Sequence, residues 1–139
     1  MKTLLDTCVI SELVAKRPNP GVVEFVDALD ADNVYLSVLT IGEITKGIEK
    51  LPNSPRKTDL RGWLKDDLLV RFYDNIIPLD TDILVSWGEM TARLELQGKP
   101  MPAIDSLIAA TALVGKMALV TRNVGDFAAA EIEIVNPWK

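Results

Sequence analysis

Four acidic residues stand where an α/β chain usually delivers its chemistry: Asp6, Glu43, Asp105 and Asp126. Each follows a run that reads as a strand or opens a nearby helix. In open parallel sheets ligands bind at the carboxyl ends of the strands, so acids this far apart in sequence converge on one sheet edge. Clustered carboxylates repel one another and are costly in an apolar setting unless paired or bound to a cation. Oxygen donors suit Mg²⁺ or Mn²⁺. The chemistry that fits is two-metal hydrolysis of a phosphodiester, in which cations activate water and neutralise charge on the leaving oxygen. The chain has no histidine, which removes Ser-His-Asp and Cys-His nucleophilic systems, His-ligated zinc and imidazole general bases.

Each acid also has a local explanation. Asp6 can simply begin the turn after the first strand. Thr40-Ile41-Gly42-Glu43 fits a capping box in which Glu43 bonds back to the Thr40 amide. Asp126 can cap the short turn 127–130. Asp105 is different: it opens a helix whose same face carries Ile108, Ala109 and Ala112, and a cap alone does not need so apolar a setting. One acidic site is more economical than four separate local accounts. The pair Asp80 and Asp82, by contrast, is fully explained as an N-cap with a dipole-favoured acid beside it.

The elements that must position these residues read as one strand–helix succession with short turns, which favours a parallel sheet. Thr3-Leu4-Leu5 is a short buried strand, followed by a helix over Val9–Ala15 and a break at Lys16–Gly21. Val22, Val23, Phe25, Val26 and Leu29 have helical spacing. Val34–Val38 is the second strand and Thr40–Leu51 the next helix. Ser54-Pro55 supplies a cap and first position for a helix reaching Phe72. Its row Lys57, Arg61, Lys65 reads as a solvated face, with steering of a polynucleotide backbone as the alternative. Asn75–Leu79 is a third strand, in which Pro78 marks either an edge position or the strand's end. A helix to about Leu96, a two-proline loop over Gln97–Pro102 and a buried helix over Ala103–Val114 follow. Met117–Thr121 is the fourth strand, and Ile132–Val135 a final edge strand.

The 139 residues, 48% of them apolar, suffice for one domain with a real core. No apolar run approaches the ~20 residues of a membrane span, and no targeting segment is expected. The lone Cys8 excludes an internal disulfide and suits a reducing, cytoplasmic setting. A net charge of −5 argues against nucleic-acid binding through overall charge, but a cation-bound acidic site escapes that argument, and a basic partner would be attracted.

Four stretches in order carry a family resemblance: Leu4–Glu12, Leu36–Glu43, Ala103–Ala112 and Thr121–Phe127, with the closing Asn136-Pro137-Trp138. Together they resemble PIN-domain proteins of the VapC toxin type, close to the FitB-like branch, across the whole chain 1–139. The resemblance implies a three-layer α/β/α domain with a central, mostly parallel sheet of four to five strands. It implies a Mg²⁺- or Mn²⁺-dependent ribonuclease of a toxin–antitoxin module, usually a homodimer. RNA is the implied substrate. The implied partner is a cognate antitoxin with a basic inhibitory segment, which itself contacts operator DNA. Carried over residue by residue, Asp6, Glu43, Asp105 and Asp126 are the metal-binding and catalytic acids, with Thr7, Thr121 and Asn123 in support. Cys8 stands where the family usually has asparagine, and a thiol cannot reproduce the bracing hydrogen bonds of an amide.

The same residues fit three other readings less well. A haloacid-dehalogenase-like phosphatase needs a second aspartate two residues after the first, where Cys8 stands. A response-regulator receiver needs an acidic pair after the first strand, which is missing, although Asp80 could be the acceptor. A catalytically weak or silent PIN-fold partner of a DNA-binding antitoxin would keep the fold without the activity.

Overall fold

The computed structural model describes residues 1–138. Five short strands, β1 (Thr3–Leu5), β2 (Val34–Ser37), β3 (Ile76–Ile77), β4 (Ala118–Val120) and β5 (Ile134–Val135), form one sheet in the order β3-β2-β1-β4-β5. All pairings are parallel, with Thr3 opposite both Val34 and Ala118 and Leu5 opposite Val120. The chain runs outward from β1 to β2 and β3, then returns to its other side for β4 and β5. That reversal puts the crevice for a ligand between the ends of β1 and β4.

Period-two alternation in β1 divides the core. Leu4 packs with Ile83, Met90, Leu94, Ile108 and Leu119 on one face of the sheet. Leu5 packs with Val9, Ile10, Val22, Leu36 and Val120 on the other. The second face is covered by α1 (Thr7–Leu13), α2 (Pro20–Asp27), α3 (Val38–Glu49) and α4 (Pro55–Trp63), the first by α6 (Thr81–Leu96) and α7 (Ala103–Gly115). This is the expected three-layer α/β/α architecture, and no helix among the described residues is long and apolar enough to cross a membrane.

Several boundaries differ from the sequence reading for identifiable reasons. The first helix starts at Thr7, not Val9, because the Asp6 side chain accepts the Thr7 N–H at 2.9 Å as an N-cap. The third starts at Val38 because the buried Ser37 caps it through Leu39 N–H at 3.0 Å. The capping box expected at Thr40 is therefore not formed. The helix expected from Ser54 to Phe72 is interrupted by a wider π-type turn at Leu64–Leu68 before α5 (Leu69–Arg71). Strands β3 and β5 are shorter than expected and lie at the two edges.

The basic row on α4 also divides. Arg61 makes a two-pronged, exposed bond to Glu49 at 2.6 and 2.8 Å. Lys57 is buried, not solvated, and its ammonium donates to the Glu49 and Leu51 carbonyls at 3.1 and 3.0 Å. It thus satisfies carbonyls at the end of α3 that have no partner within the helix. Lys57→Ala should lower the unfolding free energy by about 1–3 kcal/mol, the range for losing charge-assisted hydrogen bonds. Arg61→Ala should leave it close to wild type, since exposed pairs contribute little. Urea denaturation of both variants checks this, and equal losses would contradict it.

Candidate active site

Asp6 is set by the geometry of β1. Its N–H continues the ladder to the Val120 carbonyl at 2.9 Å, and its side chain then turns to cap α1. The carboxylate is 4% exposed, so its oxygens must be satisfied. Oδ1 accepts the Thr7 N–H, and Oδ2 accepts the Thr121 hydroxyl at 2.8 Å from the end of β4. Thr121 is positioned in turn by the Asn123 N–H, which donates to its hydroxyl oxygen at 3.0 Å. Asn123 thus contributes its main chain. The local reading of Asp6 as a turn residue therefore holds, since it caps α1.

Cys8 touches the same oxygen, its sulfur 3.6 Å from Asp6 Oδ2 and 3.5 Å from the Thr121 hydroxyl. Burial raises its thiol pKa, with Asp6 opposing ionisation further, although bonds from Arg122 and Thr121 pull the other way. The thiol therefore stays protonated and can only donate weakly to the carboxylate.

Glu43 sits on α3 facing α1. The Thr7 hydroxyl is 2.6 Å from Glu43 Oε1 and 3.0 Å from the Thr40 hydroxyl. Thr7 has one hydroxyl proton, and an ionised carboxylate can only accept, so that proton goes to Glu43. Thr40 must then donate to Thr7. The result is a directional chain, Thr40 to Thr7 to Glu43, anchored at a fully buried Thr40. Sequence reasoning missed Thr40 because it assigned that residue to a cap, and no local pattern reports a contact spanning 33 residues.

Asp105 lies in the first turn of α7, which is tied to α6 where Trp87 Nε1 donates to Ser106 Oγ at 2.8 Å. Asp126 is exposed, in the short helix α8 (Val124–Phe127) after β4. Asp105 feels all the other acids: partial burial raises its carboxyl pKa first, followed by repulsion from Asp6, Asp126 and Glu43. The structure therefore brings the four acids into one electrostatic neighbourhood. Among the described residues the only salt bridge is the distant Arg61–Glu49 pair, so no lysine or arginine neutralises the cluster. Hard oxygen donors with uncompensated charge match Mg²⁺ or Mn²⁺ in kind. Yet among the described residues no three acids or cysteines already stand in a metal-binding arrangement. A cation would have to draw them closer.

Two grooves open beside this cluster. One, of about 160 Å³, is shared by Thr7 and Glu43 and walled by Ile44, Ile48, Leu60 and Trp63. The other, of about 460 Å³, runs from Asp126 to Lys99 past Pro100 and Met101. Glu12, within the first matching stretch, does not join the site. Its carboxylate accepts the Asn19 N–H and the Trp138 indole N–H, both at 3.1 Å, and so straps the C-terminal tail to α1.

The hydroxyl chain generates a test. Thr40→Val keeps the side chain's shape but removes the donor to Thr7, so the Glu43 side chain should become more mobile in metal-free protein. Thr40→Ser should restore its order. Relaxation measurements on labelled glutamate side chains check this, and unchanged Glu43 order in Thr40→Val would contradict the chain.

Comparison with known proteins places this geometry in a family. The family model described as the PIN domain matches residues 3–132. Toxin FitB of Neisseria gonorrhoeae is 36% identical over 135 residues, covering 97% of each chain. VapC ribonuclease Y4jK of Sinorhizobium fredii is 33% identical over 136 residues, covering 98% of this chain and 97% of the relative. Among solved structures, FitAB bound to the IR36 DNA fragment aligns with a TM-score of 0.93 at 36% identity, over 99% of this chain and 96% of that one. The chain belongs to the PIN-domain family.

Proposed function

We propose that this protein is the toxin of a toxin–antitoxin module and a Mg²⁺- or Mn²⁺-dependent ribonuclease, with Asp6, Glu43, Asp105 and Asp126 as its acidic site. The observation that carries the reading is a group of carboxylates near the switch between β1 and β4 that, among the described residues, forms no salt bridge. Relatives named toxin FitB and VapC ribonuclease Y4jK point the same way.

Asp6, Glu43, Asp105 and Asp126 would hold the metal. Bound there, it supplies an activated water and a countercharge for the leaving oxygen. The chain's own groups do the positioning. Thr121 and the Thr7 N–H fix the two oxygens of Asp6, and Thr7 fixes Glu43. Each carboxylate keeps lone pairs beyond these bonds. The framework behind them, β1 paired with β4, is buried throughout.

The same charge explains inhibition. A partner segment led by arginine would pair with the carboxylates, since a guanidinium matches clustered carboxylates well, and its apolar residues would fit the groove walled by Ile44, Ile48 and Trp63. We read the partner as an antitoxin that also contacts operator DNA, in keeping with the DNA-bound FitAB relative, and the working unit as a homodimer. A second reading, a weakly active or silent PIN-fold partner protein, draws on the absence of preassembled ligands among the described residues.

One assay separates them. Purified protein should cleave single-stranded RNA in Mg²⁺ or Mn²⁺ and lose that activity in chelator. Asp6→Asn should reduce it at least ~100-fold, beyond the loss typical of residues that only orient a ligand, while remaining folded. The complex with its partner should be silent. Undiminished cleavage by Asp6→Asn would rule out the acidic site. A fully active complex would rule out the proposed inhibition, and a metal-loaded wild type that cleaves nothing would leave the silent reading.

A further inference from the structure

RNA cleaved at the acidic cluster must leave it on both sides of the scissile phosphate, and the flanking grooves differ in character. The walls on the Glu43 side are aliphatic with Trp63, and no cation lines them. On the Asp126 side the far wall carries Lys99, the only cationic side chain lining either groove. Among the described residues lining these two grooves, Lys99 is thus the one cationic group that can pair with a phosphate.

Lys99 is held by rigid backbone. Helix α6 ends with the Gly98 N–H bonded to the Glu95 carbonyl at 3.0 Å and the Lys99 N–H to the Leu94 carbonyl at 2.8 Å. Gly98 is left-handed at φ 71°, which completes a Schellman closure. In that motif the position taken by Lys99 frequently carries an apolar residue packed back on the helix; here it carries an ammonium. Pro100 and Pro102 follow, each with a fixed φ. Among the described residues the Lys99 ammonium has no carboxylate partner. Across the groove, Gly125 and Asp126 of α8 form the opposite wall, and half-buried Met101 lies in its lining.

We propose that this groove is a nucleotide subsite. It receives the residue adjoining the scissile phosphodiester, with a backbone phosphate on the Lys99 ammonium and the ribose or base against Pro100 and Met101. The inference rests on the ribonuclease reading and assigns the direction in which the strand leaves the acids.

Fluorescence anisotropy with a short, end-labelled single-stranded RNA pool tests it, with Ca²⁺ replacing Mg²⁺ and intact RNA verified on a gel. Lys99→Gln should weaken binding several-fold and flatten the salt dependence by about 0.7 in the log–log slope, the value for one phosphate contact on a single strand. Lys99→Arg should restore both. Lys116→Gln, at the opposite end of α7, should change neither. Trimming the RNA from one end only should abolish the Lys99→Gln penalty. An unchanged slope in Lys99→Gln, or a penalty that survives trimming from both ends, would overturn the subsite while leaving the ribonuclease reading intact. Failure of the wild type to bind RNA would overturn both.

Discussion

The structure depends on one carboxylate held where a buried strand ends. Asp6 continues the β1–β4 ladder through its N–H, caps α1 with one oxygen and receives Thr121 on the other. Each bond is an ordinary solution to the burial of a charged group. Together they leave the charge in place and add no cation to balance it. Glu43, Asp105 and Asp126 then enter the same neighbourhood from α3, α7 and α8. Repulsion among these acids is a charge imbalance of the kind that a bound cation or a basic partner segment would relieve.

Hydroxyl groups set how firmly that imbalance is held. Thr7 and Thr121 each aim a donor at a site carboxylate, and each is itself oriented, by Thr40 and by the Asn123 main chain respectively. Neutral donors stabilise ionised carboxylates without cancelling their charge, whereas a lysine or arginine would cancel it. Cys8 belongs to this shell as its weakest member. Its thiol reaches Asp6 Oδ2 only at sulfur distance, so it adds little to a carboxylate that Thr121 already holds.

Much of this was legible in the sequence because the fold delivers its acids through short-range rules. Strand, turn and helix periodicity placed Asp6, Asp105 and Asp126 at element ends, as the structure has them, whereas Glu43, read into a first turn, lies in the middle of α3 because that helix starts at Val38. What escaped was whatever depends on contacts across the chain. Glu43 looked like the partner of Thr40 in a cap; the buried Ser37 took that role, and both Thr40 and Glu43 instead turned to Thr7. Lys57 looked like one more surface lysine, yet α4 folds back so that its ammonium meets the end of α3. Strands β3 and β5 were overcalled because an edge strand with one neighbour ends where its hydrogen bonds end, not where its apolar run does.

If the four acids hold a cation as proposed, their mutual repulsion in the metal-free fold is what its binding relieves. Asp105 is raised first by its partial burial and then by repulsion from Asp6, Asp126 and Glu43, and among the described residues it has no side-chain hydrogen bond whose loss would mask these effects. The most direct measurement is thermal unfolding of wild type and Asp105→Asn, each in chelator and in Mn²⁺. The variant should melt higher than wild type in chelator, because a partly buried and repelled charge has gone. Mn²⁺ should raise the wild-type transition well above its effect on the variant. A lower melting temperature for Asp105→Asn in chelator, or an equal Mn²⁺ shift in both proteins, would contradict this proposal.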